Sequence, residues 1–128
     1  MNDFENIPNK SLVQLNTASS DLWPELGEAF VLNQFYRSYS RAEGWLGNGY
    51  IAIWTQDEVQ NFQEANLGAY PDKYHFFASD GGGTQFGFFI KNDTVSFVSA
   101  PDIGDEEDVR VLGNWEQFLK LVTAGDYI

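Results

Sequence analysis

Acidic side chains are the residues of this chain with the most obvious potential for chemistry, and five of them crowd one stretch after residue 100. They are Asp102, Asp105, Glu106, Glu107 and Asp108. Their spacing lacks the alternating ligands and the distant Glu of an EF-hand calcium loop. We interpret the run as solvated charge, with a patch for a basic protein or weak, adventitious cation binding as the alternatives. No metal or cofactor site is predicted.

Nucleophilic catalysis is not predicted. The chain has no Cys and a single His, His75, which lies inside a predicted strand. A nucleophile needs a paired and oriented base, and no Gly-x-Ser-x-Gly elbow accompanies this His. Two acids acting as a glycosidase pair stay open as an alternative, because their separation in space is invisible in a sequence. We expect a protein that is not an enzyme and assign no catalytic residues.

The most distinctive stretch is residues 74–90, in which two aromatic-rich runs flank Asp80, Gly81, Gly82 and Gly83. Gly supplies the backbone angles of a tight reversal and Asp bonds its own following backbone, so the pattern predicts a β-hairpin. An anion cradle would need a following helix and usually a Lys, whereas here a strand follows. If Gly82 has a positive φ, Gly82→Val should cost about 1 kcal/mol or more.

Tryptophan side chains supply the candidate anchors for a partner. Trp54 ends a predicted strand and Trp115 lies in a helical stripe, so both are predicted to be core residues. Trp45 follows Glu43 and Gly44 in a predicted Gly-rich turn, where an exposed aromatic is a candidate interface anchor. Partial burial beneath a turn is an equally natural place for so large a side chain.

The elements that must position these residues predict an α+β fold, a mostly antiparallel sheet of about four or more strands with helices packed on one side. Residues 1–128 are expected to form a single domain. Pro24 and two acidic residues mark the start of the longest predicted helix. In order, the predicted elements are an irregular arm or short first element over residues 1–20, a helix over 21–41, a strand over 50–54, a short helix over 55–66, the hairpin strands within 74–90, a strand over 94–100 and a helix over 114–125.

The net charge of the chain limits the kinds of partner that it can bind. The chain has 19 acidic and 7 basic residues, a net charge of −12, which disfavours nucleic acid and anionic membranes. A basic protein would be attracted, although the same charge also serves solubility alone. No apolar run approaches the roughly 18 residues of a membrane span, and the first residues do not resemble a signal peptide. We therefore expect a cytoplasmic protein.

Several short segments, taken in order, resemble the SUKH superfamily, which includes the Smi/Knr-type fungal regulator of cell-wall synthesis and many bacterial toxin-immunity proteins. The resemblance covers about residues 22–121. Two departures are Ser40-Arg41-Ala42 in place of an Asn-Gly-Gly before Glu43, and Phe89 or Ile90 where an Asp often follows. The similar segments are Pro24-Glu25 at a helix start, Glu43-Gly44, the strand ending in Trp54, the hairpin over residues 77–88 and the closing helix from Trp115.

This resemblance implies a non-enzymatic binding protein that neutralises a toxin by direct contact, as a monomer or weak dimer. A regulatory scaffold in cell-wall synthesis is the alternative, and a carbohydrate-binding protein or hydrolase using the acidic loop ranks below both. The family carries no shared catalytic site to transfer. The residues predicted to bind a partner are Glu43, Trp45, Asp80, Asp102, Asp105, Glu106, Glu107 and Asp108, and those predicted to be structural are Pro24, Gly44, Trp54, Gly81, Gly82 and Gly83.

Overall fold

Strands that follow one another in the sequence also lie side by side in space. A computed structural model, which describes residues 11–14, 21–65 and 70–128, has one seven-stranded sheet in the order β1 to β7. Every neighbouring pair is antiparallel. The strands are β1 Ser11–Gln14, β2 Tyr39–Leu46, β3 Gly49–Ile53, β4 His75–Ser79, β5 Thr84–Lys91, β6 Thr94–Pro101 and β7 Arg110–Gly113, and the helices are α1 Val31–Ser38, α2 Gln56–Ala65 and α3 Trp115–Ala124.

The main core lies between the sheet and its helices. Side chains alternate between the two faces of a strand, and in β5 the fully buried Phe86 and Phe88 lie on the helical face. There they belong to one buried cluster with Phe35 of α1 and Phe118 of α3. The predicted α+β fold with helices packed on one side of an antiparallel sheet is therefore confirmed.

A smaller cluster covers part of the opposite face. It contains Tyr70, Tyr74, Phe76, Val98 and Ala100. Helix α2 lies at the margin between the clusters, because its Val59 joins the main core while its Phe62 packs on the smaller one. The rest of this face, toward β2 and β3, has partly exposed side chains.

The long helix predicted over residues 21–41 is wrong. A short 3₁₀ helix, Pro24–Leu26, is followed by Gly27 with a φ of 78°, and only Val31–Ser38 is α-helical. The buried Asn33 holds the first segment by donating from Nδ2 to the carbonyls of Trp23 and Gly27, at 2.8 and 2.9 Å. Tyr39, which continues the helical spacing in the sequence, instead begins β2, because that strand pairs on both sides with β1 and β3.

From about residue 50 onward, the prediction and the structure agree closely. Both arms of the predicted hairpin, the following strand, the short helix and the terminal helix are present within two residues of their expected bounds. Two strands were missed. The residues of β7 were assigned to no element, and the Gly-rich turn predicted around Trp45 is instead the second half of β2. Most of the predicted arm over residues 1–20 lies outside the described residues, and within it Ser11–Gln14 forms β1.

Candidate functional site

One end of the sheet gathers several side chains that the sequence proposed for partner binding. We refer to it as the hairpin end. A hydrogen bond links the turn to the segment after β6, since the Asp102 N–H donates to the Gly83 carbonyl at 2.8 Å. Tyr50 lies near the turn as well, because a Cβ built at Gly81 would be 3.7 Å from its ring. The hairpin end consists of Glu43 and Trp45 on β2, Tyr50 on β3, residues 80–83, and Asp102 and Ile103 after β6.

The first part of the hairpin end is an aromatic pair with a carboxylate. Trp45 is 53% exposed, and its ring meets Tyr50 edge-on with centroids 5.3 Å apart. The Tyr50 hydroxyl donates to Glu43 Oε2 at 2.8 Å, and this bond is the main reason that the pKa of Tyr50 is raised. Strand register places all three side chains on the face opposite the main core, because their neighbours Ile51 and Ala42 are buried in it.

Asp80 serves the hairpin itself. Its Oδ1 accepts from the backbone N–H groups of Gly82 and Thr84 at 2.8 and 3.1 Å, and its Oδ2 accepts from the Tyr127 hydroxyl at 3.0 Å. Burial and then this bond to Asp80 raise the pKa of Tyr127 to about 12. The Asp80 carboxylate, predicted as a partner contact, therefore also ties the turn to the C-terminal segment.

Within the hairpin turn, Gly81 and Gly83 have positive φ angles, of 77° and 115°. Gly82 is not among the residues with positive φ, so the condition attached to its predicted constraint is not met. The restriction that only glycine satisfies easily belongs to its two neighbours. All three glycines are exposed, and the turn presents bare backbone at the hairpin end.

Internal contacts engage the acidic loop after Asp102. Asp105 caps a short 3₁₀ helix, Glu106–Asp108, and forms a reciprocal capping box with Asp108. Glu106 Oε1 lies 3.0 Å from Lys73 Nζ, and Glu107 is exposed beside them. The pKa of Tyr70 is raised, first by the burial of its ring and then by the negative charges of Asp108, Asp105 and Asp102.

Sequence reasoning missed two residues of the hairpin end. Ile103, which follows Asp102 in the chain, is 94% exposed. Tyr50 was assigned only to a strand, although it links Trp45 to Glu43. The signal available for Ile103 was that it is a large apolar residue within a stretch of acidic residues.

The residues predicted to be structural occupy different places. Pro24 begins the 3₁₀ helix and is exposed, while Gly44 is buried in β2 opposite Ile51. Trp54 follows β3 and is half-buried, with its ring centroid 4.8 Å from that of Phe62. Pro24 and Trp54 are not part of the hairpin end, whereas Gly44 lies between its residues Glu43 and Trp45 in β2.

The single His of the chain, His75, lies in β4, away from the hairpin end. His75 packs against the rings of Trp23 and Phe88, and burial lowers its pKa. Across residues 21–65 and 70–128, His, Asp and Glu side chains do not come together in any group of three or more that could hold a metal ion. In the same residues no helix is long and apolar enough to cross a membrane. What the hairpin end offers is two exposed apolar side chains, Trp45 and Ile103, together with the carboxylates of Glu43 and Asp102.

A comparison with known families, curated proteins and solved structures gave no match for this chain.

Proposed function

We propose that this chain is a non-enzymatic protein-binding module of the immunity type, which neutralises a basic toxin by direct contact through the hairpin end. The observation that carries the proposal is the exposed Trp45, held by Tyr50 beside the carboxylate of Glu43. Large aromatic side chains that are rigid and solvent-exposed supply much of the energy of protein interfaces. Ile103, 94% exposed, adds a second apolar anchor.

Charge supports a basic partner. The net charge is −12, and Asp102 lies next to Ile103 within the hairpin end. A negative surface attracts a positive one over distances of about 10 Å at moderate salt and accelerates their association. The acidic loop would act at this longer range, since several of its carboxylates already have partners within the chain.

The resemblance to the SUKH superfamily supports the immunity role in particular. Its most specific segment, the hairpin over residues 77–88, forms the turn that lies at the centre of the proposed surface. We expect the protein to act in the cytoplasm as a monomer or weak dimer, and to meet its toxin there.

A direct test is protection of cells by co-expression. The toxin to use is the product of the gene neighbouring the one that encodes this chain, with purified proteins checked for a complex by size-exclusion chromatography. We expect both protection and a complex. The double variant Trp45→Ala, Ile103→Ser should lose protection, while the control Val111→Ser, which removes a 58% exposed apolar residue from β7, should retain it.

Two results would count against the proposal. Neither complex nor protection with the native chain would contradict the immunity role. A gene deletion that alters cell-wall composition in the absence of any toxin would instead favour the regulatory scaffold.

A further inference from the structure

We infer that Trp45, Tyr50 and Glu43 form a receptor for an arginine side chain of the partner. The inference deepens the proposed function and rests on it. It concerns the chemistry of one contact: a planar guanidinium stacked on the Trp45 ring and hydrogen-bonded to the Glu43 carboxylate.

Part of the Trp45 ring remains open to solvent beside Tyr50. The Trp45 and Tyr50 rings meet at 77°, with Trp45 more than half exposed and Tyr50 half-buried. Tyr50 therefore holds the indole in place while solvent reaches the rest of it. A cation placed over a Trp face is attracted by the ring quadrupole, and Trp attracts it more strongly than Tyr or Phe.

The carboxylate lies on the same face and is already oriented. Glu43 and Trp45 are two residues apart on β2, and the Tyr50 hydroxyl fixes Glu43 by donating to its Oε2. A carboxylate has about four acceptor positions, so this bond leaves room for the fork of a guanidinium. Among the described residues, the ion pairs are Arg37 with Asp21, Lys73 with Glu106, and Arg110 with Asp126, and none of them neutralises Glu43.

This arrangement favours Arg over Lys. A guanidinium is flat, weakly hydrated and donates through several N–H groups, so it stacks on an indole and reaches a carboxylate at once. A Lys ammonium is a compact, strongly hydrated point charge. It can sit over a ring while paired with a carboxylate, as Lys73 does with Tyr74 and Glu106, but it cannot lie flat on an indole or bind a carboxylate through a planar fork. General attraction to a chain of charge −12 would instead treat the two residues alike.

The test compares two capped peptides of equal length and charge, one alternating Arg with Gly and the other Lys with Gly, by isothermal titration calorimetry at low ionic strength. The native chain should bind the Arg peptide about two- to fivefold more tightly, the range expected for one exposed cation–π contact. Trp45→Leu keeps an apolar side chain but removes the π face, and should bring the ratio of the two affinities close to one. Glu43→Gln should reduce the ratio as well.

Glu116→Gln is the matched control, because it removes one exposed carboxylate from the first turn of α3. It should weaken both peptides equally and leave the ratio unchanged. Circular dichroism of each variant checks that the fold is intact. Equal affinity of the native chain for the two peptides, no binding of either, or an Arg preference that survives Trp45→Leu would overturn the inference.

The two proposals fail separately. A toxin complex as tight with Trp45→Leu as with the native chain would overturn the arginine receptor and leave the immunity role standing. An Arg preference lost in Trp45→Leu, without any toxin complex, would support the receptor and contradict the immunity role.

Discussion

At the scale of single residues, Gln85 is the clearest conflict between the chain and its environment. Its side chain is fully buried in β5, and neither its Oε1 nor its Nε2 has a hydrogen-bond partner among the described residues. Its neighbours across the sheet, Ser79 and Ala100, are small. A buried amide without partners loses its hydration and gains nothing in return.

Gln85→Met should therefore stabilise the protein by about 1–3 kcal/mol, because a side chain of similar size replaces two unpaired polar groups. Urea denaturation of both proteins measures the difference. Gln60→Met on the exposed side of α2 is the control and should change little. A loss of stability in Gln85→Met would mean that the amide is hydrogen-bonded in solution.

His75 predicts a specific dependence of stability on pH. Burial lowers its pKa in the folded state below the ordinary value of 6.5, so the unfolded chain takes up a proton first as the pH falls. His75 thus contributes stability above pH 6.5 that is lost as the pH falls through its folded-state pKa.

The variant His75→Phe removes this contribution and leaves the carboxylates in place. Its free energy of unfolding should fall less steeply than that of the native chain between about pH 6.5 and 5, with parallel curves above pH 7. Denaturation at a series of pH values gives both curves. Identical slopes throughout the acid range would show that the His75 pKa is not lowered.

At the scale of elements, the hairpin between β4 and β5 joins structure and surface. Gly83 has a φ of 115° whereas Gly82 is not in the positive region, and Cβ atoms at these positions would meet nothing closer than 3.9 and 3.6 Å. Both positions have room for a Cβ, so the two glycines differ in backbone conformation and not in the space around them.

Gly83→Ala should destabilise the protein by about 1–3 kcal/mol, the usual cost of forcing a side chain into a disfavoured backbone region. Gly82→Ala is the matched partner and should be close to neutral, or slightly stabilising through the unfolded state. Thermal melting compares them. Equal effects of the two substitutions would contradict the backbone geometry described here.

Elements also show where sequence reasoning succeeds. The hairpin, β6 and α3 combine local signals that agree, such as alternation, turn residues and the Asn114 capping box. Strand β2 has no such signal, since Ser40, Arg41 and Gly44 are poor strand formers, and its partners on both sides decide its conformation.

The candidate site was predictable in part for the same reason. Trp45 was proposed as an anchor from its type and its setting, but its 53% exposure depends on which face of β2 meets the helices. The link through Tyr50 to Glu43 depends on strand register, and a shift of one residue would place these side chains in the core.

At the scale of the whole molecule, the sheet separates two tasks. Helices α1 and α3 pack on one face and bury the aromatic core, whereas Glu43, Trp45 and Tyr50 lie on the other. The molecule as a whole carries a net charge of −12. Stability therefore depends on the helical face, and we propose that the hairpin end recognises a basic partner.

Hydrogen exchange of the complex with the neighbouring gene's toxin tests this assignment most directly. The backbone amides of residues 81–83, 102–105 and 43–50 should exchange more slowly in the complex, and those of α1 should be unaffected. Complex formation should weaken as salt is raised, because the attraction is electrostatic at range. Protection confined to α1 and α3, with the hairpin end exchanging as in the free protein, would contradict the central claim.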